Sequence, residues 1–134
     1  MNSNGPRIAV LGVAVLHVLF MLGELFKWEE PFILGLVLQS WSRVGLAGEN
    51  MRFVSYVVHN AGIYNGIVAA GLFASLSLGR SALPVQTALL AGGIVAGVFG
   101  TFTLAPATVV QAIVGAVALA VVLRSRAHPS PNPS

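Results

Sequence analysis

The stretch IAVLGVAVLHVLFMLGELF, residues 8 to 26, carries one histidine and one glutamate among residues that are otherwise apolar. About 20 such residues in a helix cross the roughly 30 Å hydrocarbon core of a bilayer. Three further apolar segments follow, from about Phe53 to Leu76, from Pro84 to Phe102, and from Pro106 to just before Arg124. The whole chain has 134 residues, of which 56% are hydrophobic and 8% charged, with a mean hydropathy of +0.85. Soluble domains carry about a quarter of their residues as charged side chains. The chain therefore reads as an all-α integral membrane protein, a bundle of four transmembrane helices.

The boundaries follow from the polar punctuation. Arg7 precedes the first span, and KWEEP follows it, with Trp28 suited to the interface and Pro31 unable to continue the helix. No small-x-small cleavage site follows this N-terminal segment, so it is expected to stay as a membrane helix rather than to be removed as a signal peptide. Residues 32 to 50 contain an apolar run too short to span, followed by Gln39, Ser40, Ser42, Arg43 and Glu49, and read as an interfacial or re-entrant segment anchored by Trp41. Residues 1 to 124 form one domain, and the proline- and serine-rich tail, 125 to 134, has nothing to bury and reads as disordered. Arg7, Arg80, Arg124 and Arg126 share the side of the termini with no acidic residue, against Lys27, Arg43 and Arg52 opposite. That excess votes for cytoplasmic termini.

Composition also excludes classes of function. The net charge is only +3 and the basic residues are scattered singly, so nucleic acid is rejected as a partner despite a pI near 10.2. Without cysteine there is no disulfide framework, thiolate nucleophile or cysteine metal site.

Polar groups inside a bilayer are costly, and by default mark function. His17 and Glu24, seven residues apart, share one face of the first helix about 10 Å apart along its axis. On the second helix, Tyr56, Asn60 and Tyr64 recur every four residues and form a stripe with His59 at its edge, while Asn65 points to another face. That helix needs polar partners on two sides, one of them the His17 and Glu24 face. Interhelical hydrogen bonding alone would explain one asparagine; the whole set is expected to line a polar cavity, with Thr101, Thr103 and Gln111 completing its wall. Gly62-x-x-x-Gly66 and Gly93-x-x-x-Gly97 permit close helix approach, either between the four helices of one chain or between copies in a homo-oligomer.

LHVLFMLGELFKWEEP, HNAGIYNGIVAAGLF and AGVFGTFTLAPATVVQAIVGAVAL together resemble the small bacterial integral membrane proteins grouped as domain of unknown function 1304. The shared pattern falls on His17, Glu24, Trp28, Asn60, Gly62, Tyr64, Asn65, Gly66, Gly97, Thr101 and Gln111, over about residues 10 to 123. The chain departs from it at Ala61, where a glutamine is expected. The resemblance implies a four-helix protein of the bacterial inner membrane and brings no activity with it.

A shorter similarity, His59 followed by Asn65 and Gly66, is to the second helix of styrene oxide isomerase. It implies His59 as the axial ligand of a haem b and Asn65 as a pocket residue, although the acidic and tyrosine partners expected on the third helix are missing here. Three functions stay open. As an enzyme, the chain would isomerise or hydrolyse a small lipophilic molecule, such as an epoxide, taken from the membrane lipid, with Glu24 and His17 or His59 exchanging protons and Tyr64 with Asn60 orienting an oxygen. As a transport or binding subunit, it would use Glu24 and His17 as a protonatable relay. As a structural subunit, it would have no ligand.

Overall fold

The computed structural model describes residues 4–35 and 51–127. Helix α1 (Gly5–Leu22) carries Pro6 in its first turn, where a missing N–H costs nothing, and runs on through a π-helical turn, Gly23–Lys27. Helix α2 is Met51–Ser75, α3 is Ala82–Thr103 and α4 is Val109–Ala127. Four helical stretches, Gly5–Lys27, Arg52–Ser75, Ala82–Thr103 and Pro106–Ser125, are long and apolar enough to cross a membrane. They coincide with the four expected spans to within three residues or so at each end. Helix α4 continues to Ala127, past the start of the expected tail. Most of the expected interfacial segment, and residues 128–134, lie outside the described residues.

The connections explain themselves locally. Between α2 and α3 the chain turns through Gly79, whose φ of +56° is the left-handed region, and a short 3-10 turn, Gly79–Ser81. Between α3 and α4, Leu104 and Ala105 both donate to the Gly100 carbonyl, and Ala105 is extended because it precedes Pro106. Pro106–Thr108 forms a 3-10 turn that opens α4.

The helices form an antiparallel ring in the order α1, α2, α3, α4, with α1 against α2 and α3 against α4 the most extensive faces and α2 against α3 the least. Two apolar cores fill it. At the end holding the termini lie Val10, Val13, Ala14, Leu72, Leu90, Ala118 and Val122. At the other end Trp28 packs on Val54 and Val58. The outward faces are equally apolar, with Leu19, Phe26, Val95, Phe99, Phe102, Ile113 and Val117 exposed, as lipid requires.

Close approach replaces hydrophobic drive between membrane helices, and both glycine pairs are used for it within this one chain. A methyl group on Gly97 would lie 2.6 Å from the Ala112 backbone nitrogen and 3.0 Å from the Thr108 carbonyl oxygen, so α3 and α4 touch there backbone to backbone. On α2, Gly62 faces Leu25 and the Glu24 Cβ, and Gly66 faces the Met21 sulfur. Gly92 points into open space. Gly97→Ala should therefore lower thermal stability in detergent, by about 1–3 kcal/mol as for an overpacked core. Gly92→Ala should leave it unchanged or slightly raised, as helix propensity dictates; equal melting temperatures for the two variants would contradict the assigned contact.

Candidate functional site

Between the two apolar cores sits a buried polar layer built from α1, its π turn and α2. The seven-residue spacing carries His17 and Glu24 to the inward face of the first span, and the face of α2 that carries Val58, Ala69 and Leu72 inward carries Asn65 with them. His17 is 1% exposed, Glu24 8% and Asn65 8%. Asn65 joins the other two. Its Nδ2 donates to Glu24 Oε2 at 2.7 Å, and its Oδ1 lies 2.7 Å from His17 Nδ1. An amide oxygen only accepts, so this orientation assigns the proton to His17 Nδ1. His17 Nε2 is then left inside the bundle with no hydrogen-bond partner among the described residues. It is directed at Gly93 of α3, where a methyl group would sit only 3.2 Å away.

Glu24 stands in the π turn, a widened geometry that recurs at functional sites. Gly62 leaves room for its Cβ. Asn65 occupies Oε2, and Oε1 makes no hydrogen bond among the described residues. Next to this carboxyl is a cavity of about 240 Å³, walled by Leu16, Leu19, Phe20 and Gly23 of the first span, by Ile33 and Val58, and by the α3 to α4 connection from Leu104 to Thr108. Among the described residues, Glu24 is the one ionisable side chain in that wall. Thr108 adds a hydroxyl, which donates to the Ala105 carbonyl at 2.8 Å and lies 3.3 Å from the Gly97 carbonyl and from Thr101 Oγ1.

The other residues expected at the site fall elsewhere. Asn60 is exposed and Tyr64 is 61% exposed, both on the outward face of α2 with Tyr56. The stripe they form is real, but it turns away from His17 and Glu24, because Val54, Val58, Asn65, Ala69 and Leu72 claim the inward face. Asn65, read as facing another way from that stripe, is the residue that meets the first helix. Thr101 and Thr103 bond back to Gly97 and Phe99 of their own helix. Gln111 is buried in the first turns of α4. Thr108 and the apolar wall were not singled out from sequence; a threonine two residues after a helix-opening proline is too common a pattern to mark a site.

His59 is half-buried, and its ring meets Trp28 edge-on, with centroids 6.2 Å apart and planes at 87°. His59 and Asn65 lie six residues apart on different faces of α2, and both polar ends of Asn65 are engaged. Neither His59 nor Asn65 lines the cavity beside Glu24, which is too small for a porphyrin. Within one chain these residues do not fit a haem. Among the described residues, no three His, Asp or Glu side chains group as metal ligands.

Four apolar helices around a buried Asn, His and Glu define a small integral membrane protein with an intramembrane polar layer. The family model described as "Protein of unknown function (DUF1304)" matches residues 11–123, and the chain belongs to that family. No curated protein matches the chain. No solved structure matches it either, so the similarity to styrene oxide isomerase has no counterpart in these comparisons.

The layer makes an asymmetric prediction. Asn65→Leu strands Glu24 and His17, and should cost about 1–3 kcal/mol for each polar group left unpaired. Converting His17, Glu24 and Asn65 to leucine together removes every partner at once and should recover a large part of that loss in a detergent melting experiment. A triple variant less stable than Asn65→Leu alone would show that the three side chains do not act as one hydrogen-bonded unit.

Proposed function

We propose that the chain binds a small lipophilic molecule bearing one oxygen in the cavity beside Glu24, and that Glu24 exchanges a proton with that oxygen. The observation that carries this reading is an apolar cavity of about 240 Å³ in which, among the described residues, Glu24 is the single ionisable group, with one carboxylate oxygen fixed by Asn65 and the other without a hydrogen bond. A cavity that takes benzene measures on the order of 150 Å³, so a ring with a short substituent fits here. Apolar walls with a few convergent polar groups are the usual form of a small-molecule site.

An acid in an apolar pocket favours a reaction that needs a proton and no water. An epoxide meets that condition. Glu24, protonated on Oε1, gives its proton to the epoxide oxygen as one C–O bond breaks; a hydride shifts from the neighbouring carbon to the cationic one; and the O–H proton returns to the carboxylate as the carbonyl forms. Asn65 holds the carboxyl in place throughout, and Thr108 lines the opposite wall. His17, behind Asn65, sets the amide's orientation. The unpartnered Nε2 of His17 favours a second reading, in which the same layer passes protons between the two halves of the bundle. The arginines at the end of the termini support an inner-membrane chain with cytoplasmic termini, and the cavity then lies in the opposite half.

The test uses purified protein in mild detergent with styrene oxide, limonene oxide and 2-phenylethanol as probes. Binding is expected to raise the melting temperature, and Val58→Trp, which fills the cavity, should abolish that rise. Conversion of styrene oxide to the aldehyde, followed by gas chromatography, should fall on the order of 10²-fold or more in Glu24→Gln, the usual contribution of a general acid. Gln keeps an acceptor for Asn65, so the fold survives the change. No thermal shift with any probe would remove the site; a shift without conversion would leave binding and remove catalysis.

A further inference from the structure

From the outward face of α2 we infer that the chain pairs with a second copy of itself, with Asn60 of one subunit bonded to Asn60 of the other. Asn60 is exposed within the Arg52–Ser75 span and makes no hydrogen bond among the described residues. It stands eight residues beyond Arg52, which is about 12 Å of helix rise. A short amide at that depth does not reach the headgroups, and acyl chains offer it neither donor nor acceptor. The exposed threonine in the spans, Thr103, satisfies its hydroxyl on its own helix, at the Phe99 carbonyl. An asparagine has two N–H donors and two acceptor lone pairs, more than its own backbone can absorb.

The surroundings of Asn60 form a continuous face. Tyr56, 65% exposed, lies one turn before it and Tyr64 one turn after, with Phe53, Ile63 and Ile67 alongside, also exposed. Both tyrosine hydroxyls add polar groups to this outward surface. Of the close-approach glycines, Gly62 and Gly66 are taken up against α1, Gly93 against His17 and Gly97 against α4, whereas Gly92 of α3 points into open space but carries no polar group. Within the described spans, Asn60 of this stripe is the exposed side-chain amide.

The occupant follows from chemistry and symmetry. An amide is its own complement, and two of them form reciprocal N–H to O=C bonds with no charge left over. Copies inserted in one orientation and related by a two-fold axis along the membrane normal present their α2 helices parallel, so the two Asn60 side chains meet at the same depth. Such an isologous contact repeats every interaction twice. This inference does not depend on the cavity beside Glu24 holding a ligand.

The absence of cysteine makes the test direct. Single-cysteine variants Tyr56→Cys and Tyr64→Cys, which retain Asn60, are oxidised with copper phenanthroline in native membranes, beside Val95→Cys and Val117→Cys on the exposed faces of α3 and α4. Cross-linking is expected at Tyr56 and Tyr64 and not at the two valines, giving a product at twice the 13.9 kDa monomer mass. Adding Asn60→Leu to Tyr64→Cys should reduce the product by roughly three- to tenfold, as for one or two interhelical hydrogen bonds, and Asn60→Gln should restore part of it. Equal cross-linking at all four positions, a product containing a different protein, or indifference to Asn60→Leu would each overturn the inference.

Discussion

The hydrogen-bonded layer of His17, Asn65 and Glu24 is the constraint around which the rest of this bundle is arranged. In a bilayer there is no water to satisfy polar groups, so an imidazole and a carboxyl can be kept inside only if something bonds to them. Asn65 does so with one donor and one acceptor, at 2.7 Å to each partner. Because the two bonds reach residues seven apart, about two turns, on the first span, they fix both the rotation of α2 about its axis and its register along α1. The apolar cores on either side, around Leu72 at one end and Trp28 at the other, then have one arrangement compatible with that register.

Small residues make that arrangement geometrically feasible. Gly62 admits Glu24, Gly66 admits Met21, and Gly93 leaves space for His17 from the opposite helix. Gly97 performs a double role: its missing side chain lets α4 approach by its backbone, and its carbonyl accepts from the Thr101 hydroxyl at 2.7 Å and lies 3.3 Å from that of Thr108. The glycines of the spans are thus contact points, and the polar residues divide into an inner layer and an outer stripe.

That division organises the functional reading. The inner layer borders a cavity of about 240 Å³ in whose described wall Glu24 is the ionisable group, which is the ground for proposing a neutral, lipophilic ligand with one oxygen there. The outer stripe of Tyr56, Asn60 and Tyr64 stands apart from that cavity and carries the proposed subunit contact. The two sets are adjacent in sequence and face apart in space, so the proposed small-molecule site and the proposed subunit contact rest on separate residues.

By itself the sequence determined the class, the four spans, the positions of the turns and the inventory of polar groups, because hydrocarbon thickness, proline and the cost of intramembrane polarity act through local composition. It also placed His17 and Glu24 on one face, since their seven-residue spacing is two helical turns whatever surrounds them. Which face of α2 turns inward was decided only by tertiary structure. In water, the contrast between an apolar core and a polar surface would have marked that face; here both faces of every helix are apolar, so the periodicity carries no sign of which side is the interior. Tyr56, Asn60 and Tyr64 made the longer polar stripe and Asn65 the lone polar residue, yet Asn65 went inside, because helix packing selects the face that carries Gly62, Ala69 and Asn65 together and lets α1 approach closely enough to bond. The cavity, the engagement of Glu24 by one oxygen and the placing of His17 Nε2 against Gly93 arise from contacts among α1, α2, α3 and the α3 to α4 connection, and no spacing within a single helix encodes those.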